Sequence, residues 1–224
     1  MIKLFRKQQK KIIEDPKLKI LNHDYGHVLT KDTNLPCDLT RSPLPWYTYP
    51  AIEYLVQFDF SNASVFEYGL GNSTLFWGER AKDVTSVEHN TEWFLKWKDN
   101  VPQNIDLIYS NCKEDYVASI MKNDAKYDLI VIDGIYRVSC SQIASNYLKK
   151  GGLIILDNSD WHTTAASILR TEGLLQVDMF GFGPINDYTW ATSLFFDRNF
   201  AFKPTSEIQP KHGIGSLKHE DTIE

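Results

Sequence analysis

The sequence predicts an α/β protein built on a mostly parallel sheet. From residue 63 onward, short runs suited to strands alternate with helical segments, which is the rhythm of strand–helix–strand units. Two runs, at 129–132 and 153–156, are apolar without alternation, as central strands covered on both faces are. The last two strands are joined by a turn too short for a crossover helix, so they must be antiparallel.

The individual elements follow from local patterns. Strands are predicted at 63–67, 83–88, 105–109, 127–133, 152–157, 175–182 and 189–197. Helices are predicted near 72–80, 91–99, 113–122, 139–149 and 161–172, and a further helix begins near Pro50, because proline suits a first helical turn. Residues 14–50 show no sustained helix-like or strand-like spacing of hydrophobic residues, and they end in three prolines within eight residues. This pattern predicts an irregular arm.

The length of the chain, 224 residues with 42% hydrophobic composition, suits one hydrophobic core. We divide the chain into an N-terminal helix and arm at 1–50, an α/β domain at 51–202, and a polar tail at 203–224 that is expected to fray. Residues 3–13 place cations beside apolar side chains. They predict a basic helix that either packs on its own domain or weakly contacts an anionic membrane surface.

Composition excludes several classes of protein. A net charge of -5 argues against a nucleic-acid-binding surface, which needs an excess of Lys and Arg. Three cysteines without C-x-x-C spacing predict reduced thiols, with neither a zinc site nor a disulfide framework. No stretch is long and apolar enough for a membrane span, and the N-terminus lacks the apolar core of a signal peptide, so we expect a cytoplasmic protein.

A glycine turn follows the first predicted strand. That strand ends in Glu67, the turn contains Gly69 and Gly71, and the next helix begins with residues suited to an N-cap. The turn either connects a strand to a helix tightly or lets backbone N–H groups approach a ligand. Glu88, at the end of the second strand and about 20 residues downstream, favours a ligand, because a carboxylate there can accept hydrogen bonds from two ribose hydroxyls.

The same turn disfavours a phosphate ligand. Thr74 stands where a dinucleotide-binding motif has its third glycine, and Glu67 would repel a pyrophosphate. No lysine follows the glycines, which excludes a P-loop. A cofactor with a cationic end suits Glu67 better.

Residues 65–74, VFEYGLGNST, resemble the E/D-x-G-x-G-x-S/T motif of class I S-adenosylmethionine-dependent methyltransferases. The resemblance extends over residues 63–197, including the closing antiparallel pair. It implies a Rossmann-like three-layer sandwich with a seven-stranded sheet in the order 3-2-1-4-5-7-6.

The resemblance also implies roles for individual residues in binding S-adenosylmethionine. Glu67 would hold the methionyl amino group directly or through water, the backbone from Gly69 to Gly71 would line the methionyl carboxylate, and Glu88 would bind the ribose. Ser73 and Asp133 complete the implied cofactor set. Residues Asn111, Cys112 and Asp115, after the third strand, fall where the family contacts the adenine.

Polar residues at the ends of the fourth and fifth strands predict an acceptor side. Asp133, Asp157 and Asn158 offer hard oxygen ligands suitable for Mg²⁺, similar to the metal site of catechol-type O-methyltransferases. Without a metal, Asp133 would serve as acid, base or acceptor-orienting residue, and Asp157 would support its loop. His162 is either a general base or a solvent-facing residue at a helix start. Arg137 either neutralises an anionic acceptor, such as a uronate or phosphate, or pairs with a carboxylate.

Aromatic residues in the arm and in loops on the ligand side predict a partly apolar acceptor pocket, unless they serve ordinary core packing. They are Trp46, Tyr47, Trp161, Tyr188 and Trp190. His23 and His27 have the spacing of a helical metal pair, but Gly26 between them and the loop composition argue against one.

Three hypotheses follow. The leading one is a methyltransferase that transfers a methyl group from S-adenosylmethionine to a hydroxyl of a small molecule or glycan. The second is an NAD-dependent oxidoreductase, which Thr74 and the closing hairpin disfavour. The third is a methyltransferase-like binding protein without catalytic activity.

Overall fold

A computed structural model describes residues 15–122 and 125–217 of the chain. The predicted basic helix at 3–13 lies outside these residues. None of the helices in the described residues has the length and apolar character that a membrane span requires.

The strands alternate with helices along the chain, as predicted. The strands are β1 (Ser64–Tyr68), β2 (Asp83–Glu88), β3 (Ile105–Tyr109), β4 (Tyr127–Ile132), β5 (Leu148–Asp157), β6 (Leu175–Gly181) and β7 (Trp190–Phe196). The helices are α1 (Pro16–Lys19), α2 (His27–Thr33), α3 (Tyr49–Leu55), α4 (Asn72–Gly78), α5 (Thr91–Trp97), α6 (Lys113–Ala118), α7 (Arg137–Tyr147) and α8 (Thr163–Thr171), with a π-helical turn at Ile20–Asp24 and a 3₁₀ turn at Ser119–Met121.

The seven strands form one sheet in the order β3-β2-β1-β4-β5-β7-β6, which confirms the predicted topology. The first five strands are parallel, and β7 is antiparallel to both β5 and β6. Successive residues of β4 pack into different cores: Leu129 and Val131 enter one core, and Ile130 and Ile132 enter the other. Both faces of β4 are therefore covered, as its unbroken apolar run predicted.

The arm at 14–50 is not irregular throughout, which corrects the prediction. Residues 16–33 form α1, the π-helical turn and α2 in succession. The side chain of Asp15 caps α1 by accepting from the Lys17 N–H at 2.8 Å, and Gly26, with φ of 73°, separates the turn from α2. Each piece is too short to show a sustained helical period, so the pattern was missed.

The predicted polar tail contacts the domain between residues 205 and 214, which its composition did not predict. The backbone N–H of Thr205 donates to the Gln57 carbonyl at 2.8 Å, and that of Ile214 donates to Glu53 Oε1 at 2.6 Å. Residues 53 and 57 lie on or just after α3. Composition cannot reveal such contacts, since they join segments about 150 residues apart in sequence.

Candidate cofactor and acceptor site

A cavity of about 600 Å³ opens at the carboxyl ends of the parallel strands. Glu88, Asp133 and Asp157 contribute to its lining, together with the glycine turn. Residues 34–36 and Trp46 of the arm also line it, as do Ile185, Asn186 and Tyr188 of the β6–β7 loop. The cavity therefore joins the predicted cofactor side to the predicted acceptor side.

The two glycines of the turn differ in what surrounds them. Gly69 has φ of +114°, and a Cβ there would lie 3.1 Å from the backbone nitrogen of Gly134, because the loops after β1 and β4 approach closely. A Cβ on Gly71 would meet no protein atom within 4 Å. Gly71 lines the cavity, so its missing side chain leaves room for a ligand.

Glu67 lies beneath the turn and does not line the cavity. Its side chain is completely buried, and the Thr74 hydroxyl donates to Oε2 at 2.5 Å while accepting from the Gly71 N–H at 3.0 Å. Burial raises the pKa of Glu67 to about 8, although the hydrogen bonds it accepts oppose this. Oε1 is buried without a hydrogen-bond partner among the described residues. One acceptor atom thus stays available for an ammonium group or a water molecule.

Glu88 lines the cavity and is itself anchored by backbone groups. Oε1 accepts from the N–H groups of His89 and Asn90 at 2.8 and 2.7 Å, and Oε2 accepts from the Leu70 N–H at 3.2 Å. The carboxylate therefore links the end of β2 to the glycine turn, with lone pairs left for a ligand.

Trp93 was missed by sequence reasoning. It lines the cavity, and its indole N–H donates to the Leu70 carbonyl at 2.5 Å. Its place in the first turn of α5, just after the acidic strand end, was the signal that could have identified it.

The residues assigned to the adenine are not brought to the cavity. Asn111, Cys112 and Asp115 are exposed and do not line it. Cys112 is the N-cap of α6, and its thiol lies 3.1 Å from Glu114 Oε2. Their cofactor role stays a prediction.

Two of the three side chains predicted to hold Mg²⁺ contact the guanidinium of Arg137. Its Nη2 donates to Asp133 Oδ1 at 3.0 Å, and its Nη1 donates to Asn158 Oδ1 at 2.8 Å. Nη1 also donates to the Asp157 carbonyl. No group of three or more His, Cys, Asp or Glu side chains in the described part of the chain is placed to hold a metal. The predicted Mg²⁺ site is not supported, because Arg137 already engages the side chains of Asp133 and Asn158, and the Asp157 carboxylate accepts from Trp190 and Thr192.

Asp157 and Asp133 differ in what they can do. Asp157 is 3% exposed and accepts from Trp190 Nε1 at 3.0 Å and from the Thr192 hydroxyl at 2.5 Å, so it anchors β7 to β5. Asp133 keeps 21% of its side chain exposed. Burial raises the pKa of both carboxyls, and the charge of Arg137 opposes the rise. Asp133 is the carboxylate that an acceptor can reach.

His162 is the N-cap residue of α8 and is half-buried. Burial, reinforced by the charge of Arg137, lowers its pKa, so the imidazole is neutral near pH 7. The side chain does not line the cavity, although its neighbour Trp161 does.

The five aromatic residues divide into two groups. Trp46, Trp161 and Tyr188 line the cavity and are 43%, 58% and 49% exposed, and the rings of Trp161 and Tyr188 lie 6.0 Å apart. Tyr47 and Trp190 are buried, which makes them core residues and not wall residues. The first group, which we call the aromatic wall, lines the same cavity as Asp133.

The sheet order, the closing hairpin and a cavity at the carboxyl edge define the class: a Rossmann-like α/β protein with a glycine turn over its ligand site. No protein-family model matches the chain, and no curated protein sequence matches it.

Solved structures share this fold. The precorrin-6y C5,15-methyltransferase of Geobacter metallireducens superposes with a TM-score of 0.53 at 14% identity, over 75% of this chain and 96% of that one. A methyltransferase from Pyrococcus furiosus superposes with a TM-score of 0.52 at 19% identity, over 81% and 97%. The chain therefore has the fold of class I S-adenosylmethionine-dependent methyltransferases.

The same fold also occurs with another activity. Spermidine synthase from Thermotoga maritima superposes with a TM-score of 0.50 at 13% identity, over 68% of this chain and 57% of that one. The fold alone does not decide the reaction, so the function must be argued from the site.

Proposed function

We propose that this protein is an S-adenosylmethionine-dependent methyltransferase that acts on a hydroxyl of a small molecule or sugar. The observation that carries the proposal is one cavity in which the open glycine turn and Glu88 lie together with a reachable carboxylate, Asp133. The first two features suit the cofactor, and the third suits the acceptor.

The residues present fit S-adenosylmethionine. Glu88 offers lone pairs to the ribose hydroxyls, and the backbone at Gly71, with Ser73 beside it, borders the space for the methionyl carboxylate. The unpartnered Oε1 of Glu67 suits the methionyl ammonium group, directly or through water. When bound, the cofactor supplies a methyl group activated by the positive charge on its sulfur.

The acceptor side follows from Asp133 and the aromatic wall. Asp133, held by Arg137, accepts the proton of the acceptor hydroxyl or orients that hydroxyl. Trp46, Trp161 and Tyr188 offer flat faces to a sugar or aromatic ring and keep water from the reacting groups. His162 does not line the cavity, so the geometry favours Asp133 over His162 as the base.

The charge of the cavity supports a neutral acceptor. Its lining contains three carboxyl groups, of Glu88, Asp133 and Asp157. All five N–H donors of Arg137 are already engaged by protein oxygens, so it has none to offer a uronate or phosphate. The interpretation of Arg137 as an anion-binding residue is therefore not favoured.

The two other hypotheses gain no support from the site. Thr74 fills the place of the third glycine of a dinucleotide-binding motif with a hydroxyl that bonds Glu67. No feature of the cavity favours a binding protein without catalytic activity.

Calorimetry with S-adenosylmethionine and S-adenosylhomocysteine tests the proposal. We expect both to bind, NAD to show no binding, and Glu88→Ala to weaken binding at least about tenfold, because hydrogen bonds to a charged group are lost. Glu92→Ala, an exposed carboxylate on α5, is the matched control and should bind as the unaltered protein does. Absence of binding by the unaltered protein would overturn the proposal. Release of S-adenosylhomocysteine from mixtures of acceptors then identifies the substrate.

A further inference from the structure

Arg137 is the first residue of α7, and its guanidinium lies between the ends of β4 and β5. Nε donates to the Gly134 carbonyl at 2.9 Å, and Nη2 donates to the carbonyl and carboxylate of Asp133 at 2.7 and 3.0 Å. Nη1 donates to Asn158 Oδ1 and to the Asp157 carbonyl. A guanidinium has five N–H donors, and each of them has an oxygen partner here.

These five oxygens come from two places in the chain. One is the loop just after β4, and the other is the end of β5 with the residue that follows it; the two strands are neighbours in the sheet. Arg137 exposes only 11% of its side chain, so its charge acts in a partly desolvated place where electrostatic interactions are strong. Its positive charge opposes the rise that burial causes in the pKa of Asp133 and of Asp157.

We propose that Arg137 is a positioning residue that takes the place of a divalent cation in this chain: it neutralises Asp133 and fixes Asp133 and Asn158 toward the acceptor. This role in catalysis depends on the proposed methyltransferase function. The arrangement of the oxygen ligands around the charge of Arg137 does not depend on that function. The first test is therefore made without S-adenosylmethionine.

The first test is the binding of Mn²⁺, followed by electron paramagnetic resonance. Arg137→Ala removes the cation and frees its five oxygen partners, among them the side-chain oxygens of Asp133 and Asn158, which suit a hard metal ion. We expect this variant to bind Mn²⁺ at least about tenfold more tightly than the unaltered protein does. Arg170→Ala, an exposed arginine on α8, is the control and should match the unaltered protein. The double variant Arg137→Ala, Asp133→Asn should lose the added binding.

Two results would overturn the proposal. One is tight Mn²⁺ binding by the unaltered protein, since the guanidinium would then not hold the oxygens. The other is an Arg137→Ala variant that keeps its native circular dichroism and gains no Mn²⁺ binding. If this variant melts early, Mn²⁺ should raise its melting temperature more than that of the unaltered protein. Equal shifts in the two proteins count against the proposal.

Arg137→Lys supplies a second, independent variant. Lysine keeps the positive charge, but its three donors cannot span five oxygens. If methyl transfer is established, we expect kcat to fall at least about tenfold with little change in the KM for S-adenosylmethionine. Methylguanidinium should partly restore the kcat of Arg137→Ala. Unaltered kcat in Arg137→Lys would contradict the positioning role, whereas absence of cofactor binding would contradict only the methyltransferase function.

Discussion

At the scale of single residues, Gly69 and Gly71 are glycines for different physical reasons. Gly69 adopts φ of +114°, and its close approach to Gly134 leaves little space for a Cβ. Gly71 has φ near 180°, which any residue adopts, and the space beside it belongs to the cavity. The fold requires the first glycine, and the second leaves open the space that we propose for the cofactor.

Alanine substitutions should therefore separate stability from binding. We expect Gly69→Ala to lower the free energy of unfolding by about 1–3 kcal/mol, because a positive φ and a crowded Cβ are both strained. Gly71→Ala should leave the free energy of unfolding nearly unchanged and weaken the binding of S-adenosylhomocysteine. Urea denaturation measures the first quantity and calorimetry the second. Equal losses of stability in the two variants would contradict this division.

At the scale of elements, α2 holds the β6–β7 loop that forms one wall of the cavity. The N–H of Ile185 donates to the buried hydroxyl of Thr30 at 2.8 Å, and Lys31 Nζ lies 2.6 Å from Asp187 Oδ1. His27, at the start of the same helix, is buried against Tyr49, and its Nε2 lies 3.8 Å from Asp187 Oδ1 in the same loop. The arm, through α2, thus supports one wall of the cavity.

Removing the Thr30 hydroxyl should loosen this wall. In Thr30→Val, the Ile185 N–H loses its partner, so we expect hydrogen exchange to quicken over residues 183–188 and binding of the acceptor to weaken. Hydrogen–deuterium exchange with mass spectrometry measures the first effect. Thr33→Val is the control, because its hydroxyl bonds carbonyls of α2 and the residues that follow it and makes no bond to the loop. The idea fails if both variants exchange alike at 183–188.

At the scale of the whole molecule, buried acidic groups gather at one edge of the sheet. Glu67, Asp133 and Asp157 lie at the carboxyl ends of β1, β4 and β5, and burial raises the pKa of each. A carboxyl group whose pKa is raised by folding binds more protons in the folded than in the unfolded state. Its contribution to stability is complete below the unfolded pKa and is lost as the pH rises through the folded pKa.

For Glu67 this interval extends from its ordinary pKa of 4.5 to about 8. We expect the free energy of unfolding of the unaltered protein to fall across this interval more steeply than that of Glu67→Gln, which cannot ionise. Urea denaturation at a series of pH values measures both. Glu92→Gln, with an exposed carboxyl, should follow the unaltered protein. Parallel curves for Glu67→Gln and the unaltered protein would show that Glu67 does not titrate as its burial requires.

The sequence by itself predicted the strands of the sheet and the antiparallel final pair, and the resemblance to class I methyltransferases supplied the strand order that the structure confirms. Unbroken apolar runs mark β4 and β5 as central strands, and the short turn before β7 allows only an antiparallel pair. The sequence also marked Glu67, the two glycines and Glu88, because these residues stand at or just after the ends of predicted strands. The alternation of strand and helix patterns along the chain locates those ends. These are local patterns, so one sequence suffices to read them.

Only the tertiary structure decided how side chains from different loops share space. The sequence placed Asp133, Asp157 and Asn158 together but could not show that Arg137 lies among them, since Arg137 reaches Asn158 across two neighbouring strand ends. It could not show that Glu67 lies beneath the turn, that Tyr47 and Trp190 are buried, or that the tail packs on α3. Each depends on contacts between residues far apart in sequence, which local periodicity does not encode.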